Sequence, residues 1–408
     1  MLRGALRLLE DILYPIYIAL GPVAWGMLAV LFYLAHGRMN KLVRPGHALP
    51  QPPPRVTILV PAKDEESHIA ACVESILKQD YPFFSVVLIN DRSSDRTGSV
   101  IEDLARRDAR VRAVHVDHLP GQWLGKCHAL HLGAQHADGQ WLLFVDSDVK
   151  LQPDALRTTL ALCEARKYDA ASLLTRLECV TWWEKLILPL AAGLWSILHT
   201  VSLTNSDSRP QHAAANGQFF LIRRAVYEKI GGHASVKSEI TEDVELMRRI
   251  KQGGFRTRLF MGRDFASTRM YHAPREMFHG WARIFSGTAR RRPWRLLGGA
   301  FFLIFCTLSA YLAIGWGVFR QYHPLDLPHT WGWTLAGCIH LMMVMMLIGL
   351  VYRFSGNRAW LAGLLPISSI AILAIFTFSL IKCVTGRTTW RGTRYQSSMS
   401  PDLATNDV

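Results

Sequence analysis

The chain is expected to be an α/β protein: a mostly parallel sheet with helices on both faces, plus about four transmembrane or membrane-associated helices. Three observations lead there. Short β-rich runs alternate with helix-period runs between residues 56 and 270. Long apolar stretches lie on either side of that region. Half of the 408 residues are hydrophobic although 19% are charged, which implies apolar blocks beside an ordinary polar domain.

The first apolar stretch, residues 12–35, is long enough to cross about 30 Å of hydrocarbon. It contains Pro15 and Pro22 and lacks a small-residue cleavage site, so it reads as an anchor rather than a signal peptide. Pro50, Pro52, Pro53 and Pro54 then make residues 48–55 a stiff linker. Residues 56–60, 86–90, 111–116, 141–145 and 170–174 have the composition of buried strands. Between the first two, Ile69, Cys72, Val73, Ile76 and Leu77 recur at helical spacing, and residues 126–137 and 154–166 also read as helices. Strand and helix alternating in this way predict a parallel sheet, whose ligands bind outside the carboxyl ends of the strands.

Residues 182–203 form an apolar stretch inside this domain. Either it lies in the membrane interface, with Trp182, Trp183 and Trp195 at headgroup level, or it is a buried core helix. Residues 296–318, 331–351 and 361–384 are three further candidate spans. The expected organisation is an anchor (1–47), the linker (48–55), a soluble domain (56–283), membrane helices (284–384) and a basic tail (385–408).

The formal charge is +14. The arginines crowd beside apolar segments, as at Arg290, Arg291, Arg292 and Arg295, which points to anionic headgroups and the cytoplasmic side rather than to nucleic acid. The cysteines (Cys72, Cys127, Cys163, Cys179, Cys306, Cys338 and Cys383) include no CxxC pair, so neither a disulfide framework nor a zinc site is indicated.

Acids follow the strands. Pro61-Ala62-Lys63-Asp64-Glu65-Glu66 comes after the first, and Asn90-Asp91-Arg92-Ser93-Ser94-Asp95 closes the second. Such groups suit ribose hydroxyls and a base edge, although Asp95 and Glu66 also suit helix starts. The fourth strand ends in Asp146-Ser147-Asp148, two carboxylates that suit Mg²⁺ or Mn²⁺ together with phosphate oxygens. Thr241-Glu242-Asp243 opens a helix that closes at Gly253-Gly254. Thr241 is a natural N-cap, and Asp243 is a candidate base for an acceptor hydroxyl. Gly125-Lys126 precedes a helix where an ammonium suits phosphate, and Asn216-Gly217-Gln218 supplies two amides and a permissive glycine.

Taken in order, these motifs resemble those of the family 2 glycosyltransferases of GT-A fold, over roughly residues 56–283. The resemblance implies an inverting transfer from a nucleotide-diphospho-sugar, UDP-linked by default and GDP-linked as an option. It makes Glu65, Asp91, Lys126 and Asp146 donor contacts, Asp146 and Asp148 the acidic pair at a metal, and Asp243 the general base. The anchor, the apolar C-terminal segments and the tail resemble the lipid-glycosylating members: hopanoid-associated, carotenoid and ceramide types. The acceptor implied is a membrane lipid, approached from the cytoplasmic face of a bacterial plasma membrane. Polysaccharide synthases carry Gln-x-x-Arg-Trp, but here the stretch reads His279-Gly280-Trp281-Ala282-Arg283. That departure favours transfer of one sugar, with Asn216, Gly217, Gln218, Glu242, Trp281 and Arg283 on the acceptor side. A polyprenyl-phosphate acceptor and a catalytically silent nucleotide-binding scaffold are the alternatives.

Topology poses a conflict. Arg38, Lys41, Arg44 and Arg290–Arg292 favour a cytoplasmic domain, and Lys382, Arg387, Arg391 and Arg394 favour a cytoplasmic tail. Three full crossings after the domain would put that tail outside. Either one of the three segments is re-entrant or interfacial, with Pro366 marking a possible break in the last, or the charge rule fails here; a cytoplasmic tail folding back towards the active site is the favoured reading.

Overall fold

A computed structural model describes residues 2–36, 42, 48–199, 201–209, 211–289, 292–323, 327–385, 387–390 and 393–396. The cations expected to set topology at Arg38, Lys41, Arg44, Arg290, Arg291 and Arg391 lie outside the described residues.

The chain opens with helices α1 (Leu2–Ile18) and α2 (Ala24–His36), joined by a π-turn at Ala19–Val23 that contains Pro22. Strand β1 (Val56–Ala62), α3 (Ile69–Leu77), β2 (Phe84–Asp91), α4 (Thr97–Arg107), β3 (Val111–Val116), α5 (Gly125–Gln135) and β4 (Trp141–Phe144) follow in strict alternation. Then come β5 (Val149–Leu151), α6 (Ala155–Arg166), β6 (Ala170–Leu174), β7 (Arg176–Leu177), α7 (Trp182–Leu198) and α8 (Val201–Thr204). The domain finishes with β8 (Phe220–Arg223), α9 (Arg224–Lys229), α10 (Glu242–Gln252), β9 (Thr257–Met261), β10 (Ala266–Thr268) and α11 (Pro274–Thr288). Four helices remain: α12 (Pro293–Leu303), α13 (Ser309–Tyr322), α14 (Thr330–Phe354) and α15 (Leu365–Thr385). A two-stranded ribbon, Arg387–Trp390 with Thr393–Gln396, succeeds them.

Seven strands form the main sheet in the order β3-β2-β1-β4-β8-β6-β9. All run one way except β8, which is antiparallel to both β4 and β6. The mostly parallel GT-A sheet expected from the motifs is therefore present. Its strands are buried on both faces, which explains their continuous apolar runs. Along β1, Ile58 and Val60 pack with Ile69, Val73, Ile76, Leu156 and Leu160. Leu59, between them, points to the other face with Ala129, Leu130, Leu246, Met247 and Ile250. Helices α3 and α6 thus cover one face, and α5 and α10 the other. Each such side chain taken out of water contributes about 1.5–3 kcal/mol.

The described chain divides into two compact units, residues 39–178, 196–291 and 382–408 in one, and 1–38, 179–195 and 292–381 in the other. Among the described residues, three helical stretches are long and apolar enough to cross a membrane: Ala5–Leu31, Thr330–Phe354 and Ala359–Thr385. The expected span at residues 296–318 is helical but divided by a π-turn at Ile304–Leu308. Most of α7 is buried, including Trp183 and Leu186 to Ala191, while Trp182 is 73% exposed. Its first turn is capped by Glu184, whose Oε2 accepts from the N–H groups of Val180 (2.9 Å) and Thr181 (2.5 Å).

Candidate active site

The loops after β1 and β2 contain more acids than a ligand needs, and the structure sorts them. Asp64 Oδ1 accepts from the Ser94 N–H at 2.7 Å, and Glu66 Oε2 from the Arg96 N–H at 2.9 Å. Asp95 Oδ2 accepts from the Glu66 N–H at 3.1 Å, and its Oδ1 from the Thr97 N–H at 2.9 Å. These three carboxylates tie the two loops together. Glu65 and Asp91 are left for another task. Both are buried; Glu65 meets His68 Nδ1 at 3.2 Å. Asp91, the last residue of β2, accepts from Arg92 Nε at 2.8 Å through Oδ1, while its Oδ2 has no partner among the described residues. A buried oxygen without a donor costs about 1–3 kcal/mol, a penalty that an N–H on a ligand would remove.

At the carboxyl end of β4 the chain elements converge on one ammonium. Lys126, the second residue of α5, places Nζ 2.7 Å from Asp146 Oδ1 and 2.7 Å from Glu242 Oε1. Burial opposes its charge, but Asp146, Glu242 and Asp243 outweigh this and hold Lys126 well above the usual lysine range. Beside it, Asp243 Oδ2 accepts from the Gly217 N–H at 2.7 Å, and Oδ1 from the Val244 N–H at 2.8 Å. Burial first and Glu242 second push the Asp243 carboxyl up to about 7, against the pull of Lys126. A carboxylate of that kind can take a proton from a hydroxyl near neutral pH. The cavity that this group lines also includes Pro61, Phe144 and His233. Thr241 occupies the N-cap of α10 as expected, but its side chain makes no capping bond.

Asp148 sits just before β5. Burial, then Asp146 and Glu65, push its carboxyl up to about 7. Among the described residues no three His, Cys, Asp or Glu side chains come together as a ready metal cage. The crowding of Asp146, Asp148 and Glu65 nevertheless fits a hard divalent cation that draws its remaining ligands from diphosphate oxygens and water.

The structure therefore brings Lys126, Asp146, Gly217, Glu242 and Asp243 together. The two amides beside Gly217 are turned elsewhere. Asn216 Nδ2 donates to Leu173 O at 3.1 Å and to Gln218 Oε1 at 3.0 Å, and the Thr175 hydroxyl also donates to Gln218 Oε1. They brace the segment that presents the Gly217 N–H. Trp281 and Arg283 stand on α11, away from the cavity lining. Trp281 is buried against Phe285 with its Nε1 unpartnered. Tyr271 links Arg283 to the acids: burial and Asp148 raise its hydroxyl to about 12, and Arg283 opposes them.

His233 escaped the motifs. Burial lowers its imidazole to about 3, so it is neutral, and it shares a 2.9 Å hydrogen bond with Tyr227 Oη. Its signal was Gly231-Gly232, whose φ values of 81° and 50° need glycine. A Cβ on Gly232 would also lie 2.6 Å from the Tyr227 ring. Lys251 was likewise missed. Its buried ammonium donates to the carbonyls of Thr204 (2.7 Å), Ser206 (3.2 Å), Arg209 (3.3 Å) and His212 (2.6 Å), clamping the loop that leads to Asn216.

An ammonium thus lies among carboxylates at the carboxyl edge of the sheet, where folds of this kind bind their ligands. The chain belongs to the glycosyltransferase-like family 2, whose pattern matches residues 52–278. It is 24% identical over 229 residues to a 4,4'-diaponeurosporenoate glycosyltransferase of Staphylococcus haemolyticus (strain JCSC1435), covering 56% of this chain and 60% of that one. It is 26% identical over 293 residues to the protein of the same name from Staphylococcus aureus (strain N315), covering 70% of this chain and 74% of the other. Among solved structures, it is similar to the mannosyltransferase PcManGT from Pyrobaculum calidifontis in complex with GDP-Man and Mn²⁺. That match has a TM-score of 0.53 at 17% identity and covers 91% and 99% of the two chains, a likeness of fold.

Proposed function

We propose that this glycosyltransferase moves a single sugar, with inversion, from a UDP-linked donor to a hydroxyl of a carotenoid-like membrane lipid at the cytoplasmic face. The observation that carries the reading is Asp243: a buried carboxyl raised towards neutrality, held from two sides by N–H groups, beside Lys126 in the cavity lining. Asp243 takes the proton from the acceptor hydroxyl as its oxygen attacks the anomeric carbon opposite the departing nucleoside diphosphate. Asp91 Oδ2 accepts an N–H of the base, and Glu65 holds the nucleoside side. Lys126 meets the diphosphate as it leaves. Asp146 and Asp148 would hold Mg²⁺ or Mn²⁺, which would supply charge neutralisation of the diphosphate. Arg283 is assigned to the acceptor side, with the buried Trp281 packed against Phe285 behind it.

The names of the relatives support a lipid acceptor, and the three apolar helices support a membrane enzyme. A tail on the catalytic side is supported by the end of α15, since Lys382 to Thr385 fall in the same unit as the sheet. There, Lys382 Nζ approaches His279 O at 3.5 Å and Cys383 Sγ approaches Ser286 O at 3.8 Å. This agrees with α15 being interfacial or re-entrant.

The test is transfer of radiolabel from UDP- and GDP-sugars into carotenoid-type lipid by the detergent-purified chain with Mg²⁺ or Mn²⁺, with NMR of the product. Label from UDP-sugars with inverted anomeric configuration is expected. Label from GDP-sugars alone would overturn the donor, and a retained configuration would overturn the mechanism.

A further inference from the structure

One face of β2 carries Val87 and Ile89, which pack with Ala129 and Leu130 of α5. Side chains alternate along a strand, so Asp91 continues that face at the carboxyl end of β2. His128 comes from the first turn of α5, and the two side chains are 6% and 2% exposed for His128 and Asp91. Among the described residues, His128 Nδ1 and Asp91 Oδ2 are both buried without a partner. They are electrostatic neighbours: burial holds the His128 imidazole below its ordinary value, and the charge of Asp91 opposes that shift. The ring is therefore neutral near pH 7 and carries one N–H. Trp123, half-buried, stands edge-on to it with ring centroids 5.3 Å apart. Two neighbouring polar atoms left in this way are each unfavourable alone, and one ligand with complementary groups would satisfy both.

The remaining valences say which ligand. Asp91 Oδ1 is already taken by Arg92 Nε at 2.8 Å, so the carboxylate offers a single oxygen. The His128 tautomer with hydrogen on Nδ1 offers a single donor. One acceptor beside one donor matches the N3–H of uracil and a carbonyl flanking it. Guanine adds a 2-amino group, for which no oxygen of Asp91 is left. Cytosine has no hydrogen at N3, so in the same seat it sets a lone pair against the carboxylate. We propose that His128 is a base-reading residue of the donor site, donating from Nδ1 to a uracil carbonyl while Asp91 accepts the N3–H. The half-buried Trp123 indole is the side chain that gives way as the base enters. The role of His128 rests on the chain being a nucleotide-sugar enzyme, and it names a residue that chooses among bases.

The test is calorimetric binding of UDP, CDP and GDP to the full chain in detergent with Mg²⁺. The wild type is expected to hold UDP about tenfold more tightly than the other two. His128→Ala should weaken UDP about tenfold and change CDP and GDP less than about twofold, because those are held by the diphosphate alone. His128→Asn, whose amide nitrogen takes the place of Nδ1, should recover most of the UDP affinity. Its recovery, like the retained GDP binding, shows that the variants are folded. Unchanged UDP affinity in His128→Ala, an equal loss for all three nucleotides, or a wild-type preference for CDP or GDP would each overturn the role of His128 while leaving a nucleotide site in place. A wild type that binds none of the three would instead overturn the nucleotide-sugar reading itself, and His128 with it.

Discussion

Two buried clusters in this molecule each set a cation against acidic side chains, one acid in the first and three in the second, and they differ in balance. In the helical unit, Glu10 Oε1 accepts from Arg320 Nη1 and from Trp333 Nε1 at 2.9 Å, and Arg320 also donates to the carbonyls of Leu327 (2.6 Å) and Pro328 (2.9 Å). One positive charge meets one negative charge, and loop carbonyls accept from both Nη groups. In the catalytic unit, one ammonium, Lys126, faces Asp146, Glu242 and Asp243. The first arrangement joins α1 to α13 and the loop before α14. The second holds an excess of negative charge that no further cation among the described residues neutralises, and there Asp243 is driven towards neutrality. Balance marks a fastener, and imbalance marks a place where a proton or a cation is expected to come and go.

The largest effect should follow from removing the imbalance at its most strained member. Asp243→Asn keeps shape but cannot accept a proton, so transfer to a hydroxyl should fall about 10²–10⁴-fold. Wild-type activity should rise as pH increases through about 7, where Asp243 ionises. Stability should move the other way. A carboxyl whose folded pKa lies above its unfolded value binds more protons when folded, so its contribution is lost as pH rises between roughly 4 and 7. Asp243→Asn should therefore melt higher than wild type at pH 8 while being inactive. Unchanged activity would remove Asp243 as the base, and a lower melting point at pH 8 would contradict the strain.

Breaking the balanced cluster should act on stability alone. Arg320→Leu strands Glu10 in a buried position and should cost about 3–5 kcal/mol, read as a fall in detergent melting temperature. Glu10 Oε2 and Arg320 Nε already lack partners among the described residues. Removing both ends, as Glu10→Leu with Arg320→Met, should therefore recover most of that loss. A double variant as unstable as the single one would show that the pair does more than pay for its own burial.

How much of this was legible in the sequence depended on the range of the forces. The apolar runs of β1 to β4 and β6 were readable because a strand covered on both faces has nothing polar to alternate with. Strand β8 was not, since Phe220–Arg223 is four residues long and its reversal is set by β4 and β6 on either side. Acids at the strand ends were visible as a set. Their division into loop ties (Asp64, Glu66, Asp95) and acids that tie no loop to its neighbour (Glu65, Asp91) was not, because each tie pairs residues about 30 positions apart. Asn216 and Gln218 were read as site amides. Their partners, Leu173 and Thr175, lie on and just after β6, beyond the reach of any local pattern.

The smallest predicted effect probes how closely the imbalance is packed. A Cβ on Gly217 would lie 3.0 Å from Lys126 Nζ and 3.5 Å from Asp243 Oδ2. The first contact is tighter than ordinary packing, but it is made with the mobile end of a lysine, so the backbone need not move. Gly217→Ala should therefore displace the ammonium by a few tenths of an ångström, weakening its pull on Asp146 while the Gly217 N–H still reaches Asp243. Donor binding should suffer more than proton removal. About a tenfold loss in kcat/KM, carried mostly by a higher donor KM with the pH profile in place, is the expected result. A shifted pH profile at unchanged KM would instead mean that Gly217 acts through Asp243, and that the two sides of the cluster are coupled more tightly than their geometry implies.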